Sequence, residues 1–212
     1  MLQPRRNFGL SNVRDRLFAV GGLDPRPCAL SAAEMYDPTL DEWTSVASMT
    51  TPRSYLCLAS VHNQLFALGG GDEGVVLSSV ERYDEANDVW ALAAPMSTAR
   101  RAFGVGVMGH SVYAVGGRNA TEDALASVER FDAETNTWSD VSPMTAARSH
   151  LTVAVVAENQ LLAIGGLSPK YATSTVLARY DVRIGRWETM PAPGLGPYVA
   201  NVMFTSKTRA HE

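Results

Sequence analysis

Apolar and polar residues alternate along short runs, and the runs recur in sets of four. One set shows the pattern well. An alternating run, Phe103 to Met108, is followed by a turn at Gly109-His110 and a second run, Ser111 to Val115. A polar loop leads to Ser127 through Asp132, a turn through Glu134 to Asn136, and a last run from Thr137 to Asp140. Period-two runs punctuated by Gly, Asn, Asp and Pro predict antiparallel β-strands. No segment carries the length and 3.6-residue period of a helix.

The sets are copies of one another. Gly21-Gly22, Gly69-Gly70, Gly116-Gly117 and Gly165-Gly166 follow at steps of 48, 47 and 49 residues. Trp43, Trp90, Trp138 and Trp187 keep the same beat, as do Asp37, Asp84, Asp132 and Asp181. A period of this length means one supersecondary unit repeated along the chain. The first strand of each copy has a face of small residues: Gly9 and Ser11, Cys57 and Ala59, Gly104 and Gly106, Thr152 and Ala154. Its other face carries Leu10, Leu58, Val105 and Val153. Small residues let a neighbouring layer approach closely, as expected of the innermost strand of a blade near a narrow axis.

Recurrence also separates structure from chemistry. A catalytic group is needed once, a packing group once per copy. The glycine pairs, the aromatics Tyr36, Tyr83, Phe131 and Tyr180, the tryptophans, and Arg5, Arg53, Arg100 and Arg148 are therefore assigned to the scaffold.

The wording of the copies carries a family resemblance. "LFAVGG … AEMYDP … EWTSVASMTTPR" is followed by "QLFALGG … SVERYDEANDVW … PMSTAR", "SVYAVGG … SVERFDAETNTW … PMTAAR" and "QLLAIGG … VLARYDVRIGRW". These segments resemble kelch repeats, and their phrasing is closest to the kelch domains of BTB–kelch adaptor proteins. The resemblance implies an all-β, kelch-type β-propeller with one four-stranded blade per repeat. The predicted units are repeats 4–49, 50–96, 97–144 and 145–190, then 191–212 as a partial fifth repeat. That last part has an extra inner strand at 198–204 (YVANVMF) and a tail. Rings of that family usually have six blades, so four repeats predict an open arc or a piece of a longer propeller. A closed four-bladed ring is the competing expectation, propellers ranging over about 4–8 blades. The BTB and BACK domains of the family have no counterpart in this sequence. An open arc exposes apolar blade faces, which predicts self-association or a missing partner segment.

Composition narrows the functions. Hydrophobic residues make up 46% and charged residues 19%, as in ordinary folded proteins. The net charge of −4 lacks the basic footprint of a nucleic-acid binder. No run is apolar enough for a membrane span, and Met1 to Arg6 has no signal-peptide stretch. Cys28 and Cys57 form no CxxC pair and read as free thiols in a reducing, cytoplasmic compartment. Asn119-Ala120-Thr121 matches a glycosylation sequon, read as chance without a secretory signal.

The resemblance implies a non-enzymatic platform that binds a protein or peptide on loops at one end of the propeller. Substrate recognition for a cullin–RING ubiquitin ligase is one form of it, and an actin-associated cytoskeletal scaffold is the alternative. In the family, partner contacts come from residues just after the arginine preceding each inner strand, and just after the glycine pair. Carried over, these are Arg6, Asn7, Ser54, Tyr55, Arg101, Ser149 and His150, then Asp24, Asp72, Arg118, Asn119 and Ser168. Arg6, Arg101 and Arg118 are expected to form a cationic cluster for an acidic motif, since a guanidinium fork suits a carboxylate. Asp24, Asp72, Glu73, Glu122 and Asp123 would dilute its field. A propeller enzyme, such as a copper oxidase or sugar epimerase, is the less favoured reading. A copper site needs clustered ligands. His62 and His110 fall on equivalent turns, His150 at the opposite end of a strand and His211 in the tail, so convergence on one metal is not expected. Phosphate loops, HExxH and GxSxG are absent from the sequence. No cofactor and no metal are expected.

Overall fold

The computed structural model describes residues 1–191 apart from 73, 171 and 175. The predicted inner strand at 198–204 lies outside the described residues. Every described regular element is a strand. The first sheet comprises β1 (Gly9–Val13), β2 (Arg16–Val20), β3 (Ala33–Asp37) and β4 (Glu42–Val46). The second comprises β5 (Cys57–Val61), β6 (Gln64–Leu68), β9 (Val80–Asp84) and β10 (Val89–Ala93), with a small hairpin, β7 (Gly71–Asp72) and β8 (Val75–Val76), between β6 and β9. The third holds β11 (Gly104–Met108), β12 (Ser111–Val115), β13 (Val128–Asp132) and β14 (Thr137–Val141). The fourth holds β15 (Thr152–Ala157), β16 (Gln160–Ile164), β17 (Leu177–Asp181) and β18 (Arg186–Met190). In each sheet the strands run antiparallel in chain order from inner to outer edge, as a propeller blade requires.

Among the described residues, the inner strands β1, β5, β11 and β15 pack one on the next in that order, and their sheets do not close into a ring. The small faces of β1 and β11 each receive a side chain of the following blade. A Cβ added to Gly9 would lie 2.5 Å from Leu58 Cγ, and one added to Gly104 would lie 2.5 Å from Val153 Cγ2. Further out, aromatic pairs repeat the contact: Phe18 with Tyr83, Phe66 with Phe131, and Tyr113 with Tyr180, at 5.7, 5.3 and 6.2 Å between ring centroids. The tryptophans tie blades together at the outer edge. Trp90, Trp138 and Trp187 donate their Nε1–H to the carbonyls of Ala47, Ala94 and Ser142 in the preceding linker. Among the described residues the core is thus three clusters between blades, the arrangement of a repeat array stabilised by neighbour contacts.

The recurring arginines are buried. Arg53 and Arg100 are fully enclosed, and Arg5 and Arg148 nearly so. Arg53 donates to the carbonyls of Gly69 and Ser79, to Ser79 Oγ, and to Glu81 at 2.9 Å. Arg100 repeats this with Gly116, Ser127 and Glu129, and Arg5 with Gly21, Ala32 and Glu34. Each of these arginines locks the glycine-pair exit of the second strand to the third strand. The glutamates are the structural partners that the arginines alone did not reveal. Their signal was present as the repeated Glu of AEMYD, VERYD and VERFD.

Candidate partner-binding rim

Two chain segments meet at one end of every blade. The residue after the recurring arginine pairs, as a short antiparallel bridge, with the stretch after the glycine pair: Arg6 with Leu23, Ser54 with Gly71, Arg101 with Arg118, and Ser149 with Leu167. Glycine is needed where these segments cross. Gly117 has φ of +101°, and a Cβ there would lie 2.7 Å from Phe103 Cβ and 2.8 Å from Arg101 O.

The next residue turns toward the axis. Asn7, Tyr55, Ala102 and His150 all adopt left-handed backbone, with φ of 53, 53, 50 and 54°. This strained conformation serves a hydrogen-bonded chain running from blade to blade. Tyr55 N–H donates to Asn7 O at 2.8 Å, Ala102 N–H to Tyr55 O at 2.9 Å, and His150 N–H to Ala102 O at 2.6 Å. Sequence patterning missed this inner band, because the four residues share no side-chain chemistry.

The candidate residues are therefore on one rim, but they do different things. Arg101, Arg118, Tyr55, Ser149 and His150 come together. The Arg101 guanidinium sits 6.0 Å from the Tyr55 ring centroid, within cation–π range. Tyr55 meets His150 edge-on at 6.0 Å. Arg118 is buried, donates through Nε to Ser149 Oγ at 3.1 Å, and also donates to the Glu122 carbonyl. Ser149 Oγ is 3.2 Å from His150 Nδ1. Glu122, which the sequence marked only as a diluting charge, pairs with Arg101 and lies 4.0 Å from Arg118 Nη1. Burial, then the charges of Arg118 and Arg101, push the His150 pKa below the usual histidine value, against the opposing pull of Glu122. The imidazole is neutral at pH 7 and offers one acceptor nitrogen or one donor N–H.

The remaining candidates stand apart from this cluster. Arg6 and Asn7 are exposed on the first blade, and no contact among the described residues joins the Arg6 side chain to Arg101 or Arg118. Ser54 is buried and bonds back to Gly71 O. Asp24, Asn119 and Ser168 hold their own loops closed. Asp24 accepts from Arg26 and Cys28 N–H, Asn119 from Thr121 and Asp123 N–H, and Ser168 Oγ from Ala172 N–H. The Cys28 and Arg26 bonds hold the Asp24 carboxyl below its ordinary pKa against its partial desolvation. Asp72 lies in the β7–β8 hairpin, opposite Val75.

The molecule has other hollows. A cleft of about 430 Å³ beside the Asp24 loop is lined by Gln3, Pro4, Pro25, Arg26 and Leu30. A larger cleft of about 540 Å³ lies at the opposite end, between the first two blades, with Arg14, Arg16, Arg82 and Glu85 in its wall. His62 lines this cleft, its ring centroid lies 4.3 Å from that of His110 on the third blade, and His110 Nδ1 is 2.9 Å from Glu134. So two of the four histidines do come together, although no group of three or more His, Cys, Asp or Glu side chains placed to hold a metal occurs among the described residues. Nor is any helix among them long and apolar enough to cross a membrane.

Comparison with known proteins agrees with this architecture. The family model described as "Kelch motif" matches residues 4–50, 52–97 and 99–145. The fourth sheet lies outside these matches yet keeps the same strand order. Mouse influenza virus NS1A-binding protein homolog is 35% identical over 72 residues, 34% of this chain and 11% of that protein. Human kelch-like protein 42 is 39% identical over 64 residues, 30% of this chain and 13% of its own length. Beta-scruin of Limulus polyphemus is 31% identical over 70 residues, 33% of this chain and 8% of that protein. The chain thus aligns with only a small part of each of these relatives.

Proposed function

Because this chain belongs to the kelch-repeat family, we propose that it is a non-enzymatic protein-binding platform whose contact surface is the rim at Tyr55, Arg101, Arg118, Ser149 and His150. The observation that carries this reading is the sharing of one carboxylate, Glu122, by two guanidiniums. Glu122 is half exposed, so its bond to Arg101 is open to exchange with an incoming carboxylate. An acidic side chain of a partner peptide replaces Glu122 at Arg101 and gains the same charge-assisted bonds. Tyr55 and His150 supply flat apolar walls beside it. Glu122 is then an internal competitor that tunes affinity.

The test is a partner peptide recovered by affinity capture, with its dissociation constant measured against variants whose fold is verified. Arg101→Ala weakens binding by about 2–4 kcal/mol, the usual cost of a central interface arginine. Leu92→Ala, on the exposed outer strand β10, leaves binding unchanged. Unaltered affinity in both Arg101→Ala and Arg118→Ala removes the rim from the account.

Within this reading, recognition of substrates for a cullin–RING ubiquitin ligase is the favoured role, and capture of ligase subunits tests it. Co-sedimentation with filamentous actin without ligase subunits favours the cytoskeletal alternative. Self-association is a second part of the proposal. Val155 and Val156 on the inner strand of the fourth blade are exposed, and Leu162 is half-buried where Phe18, Phe66 and Tyr113 are covered by a following blade. Sedimentation showing only monomer over a wide concentration range would remove it.

A further inference from the structure

The fourth blade has lost one charge of a repeated internal ion pair and kept the other. In the first three blades a single carboxylate gathers donors from the linker that enters the blade. Glu34 accepts from Leu2 N–H, Gln3 N–H and Arg5 Nη2. Glu81 accepts from Thr50 N–H and Oγ1–H, Thr51 N–H and Arg53 Nη2, at 2.7, 2.6, 3.2 and 2.9 Å. Glu129 accepts the same set from Ser97, Thr98 and Arg100, at 2.6, 2.9, 3.1 and 2.6 Å. The equivalent residue on β17 is Ala178, and Val176 replaces the serine that bonds Nη2 in the second and third blades.

Arg148 nevertheless remains, only 3% exposed. Its Nη1 donates to Gly165 O at 3.3 Å and Val176 O at 2.8 Å, its Nε is unpartnered as in Arg5, Arg53 and Arg100, and its Nη2, which reaches the glutamate in the other three, meets no acceptor among the described residues. No carboxylate among the described residues pairs with it. The Thr145 hydroxyl has turned to Thr189 Oγ1 at 3.0 Å, while the N–H groups of Thr145 and Ala146 have no acceptor among the described residues. An arginine stays charged in any protein setting, and a buried cation without a counter-ion is costly. Burial alone pushes the Arg148 pKa down, whereas Arg53 and Arg100 have a glutamate opposing that push.

We propose that Arg148 Nη2 and the N–H groups of Thr145 and Ala146 form a carboxylate socket that takes its anion from outside the blade. Three blades show that this donor set matches one carboxylate. Thr145 and Ala146 are exposed, so the socket is approached through the linker. Its ligand is a carboxylate, supplied by a free small acid or by an acidic side chain of a partner protein. The site is separate from the rim built on Arg101 and does not depend on it.

Nitrogen–proton NMR of the full chain, titrated with sodium acetate against sodium chloride at equal ionic strength, reads the site directly. Saturable shifts of the Thr145 and Ala146 amides and of Arg148 Nε–H in acetate alone are expected. Ala178→Glu supplies the missing carboxylate, so it raises the Tm by several degrees and abolishes the acetate response. A second titration with an N-acetyl-glutamate amide separates the sources. Shifts with both probes mean that a protein side chain can enter, and shifts with acetate alone mean a small free acid. Absent or chloride-equal shifts overturn the proposal, as does an Ala178→Glu variant that lowers the Tm or retains the acetate response.

Discussion

Replacing Glu81 by glutamine should be among the most damaging isosteric changes in the molecule. The carboxylate and its Arg53 partner are both fully buried. Four donors point at it, three from Thr50 and Thr51 of the linker and one from Arg53. Glutamine keeps the shape but withdraws the charge and turns one acceptor into a donor facing other donors. Breaking one side of a buried pair costs about 3–5 kcal/mol, because the surviving ion is left uncompensated. For a chain of this size that is a Tm loss of about 6–20 °C. The pH dependence provides a second readout. Burial pushes the Glu81 pKa up, but the bonds from Thr50 and Arg53 outweigh it, and the folded value lies below the ordinary 4.5. A depressed carboxylate contributes stability in full above its unfolded pKa and loses it as pH falls through the folded pKa. Urea unfolding at neutral pH and across the acid range below 4.5 should therefore show a large loss at neutral pH in Glu81→Gln, and a shallower acid decline than wild type. A loss under about 1 kcal/mol, the scale of an exposed pair, or an unchanged acid slope, would refute the reasoning.

Other outcomes follow from the same contacts. Gly104→Ala drives a methyl to within 2.5 Å of Val153 Cγ2, and overpacking of this kind should lower stability by about 1–3 kcal/mol in denaturant titrations. Trp138→Phe removes the Nε1–H bond to Ala94 O and should cost about 0.5–1.5 kcal/mol beyond the change in ring area, read as a shift of the urea midpoint. Burial pushes the Cys57 thiol up to about 12, while Cys28 is exposed, so iodoacetamide at pH 8 should label Cys28 in the native protein and Cys57 only after unfolding. Glu122→Gln frees Arg101 and should tighten binding of an acidic partner peptide in fluorescence titrations, whereas weaker binding would make Glu122 a contact and not a competitor.

The blades were legible because their signals repeat. Four glycine pairs, four tryptophans and alternating runs specify four strands per copy, and the small faces of β1, β5 and β11 specify which strand lies inside. The rim was legible only as a region. Sequence distance does not reveal that Glu122 joins Arg101 to Arg118, nor that Asp24, Asn119 and Ser168 bond their own loops. Those outcomes depend on loop backbone that carries no period. Tyr55, Ala102 and His150 illustrate the same gap, since a backbone bond between blades leaves no mark on side-chain type. Ala178 is the reverse case. It stands out in the sequence only once the role of its glutamate counterparts is known.

Amide hydrogen exchange of Tyr55, Ala102 and His150 tests the arrangement of blades around one axis most directly. Each of these residues lies just outside a strand, where an isolated sheet would leave its N–H open to water. Their bonds to Asn7, Tyr55 and Ala102 exist only if successive blades pack with their inner strands side by side. Protection matching that of the mid-strand amides of β5 and β11 is the predicted result. Exchange at the rate of exposed loop amides, with the strands still protected, would contradict it.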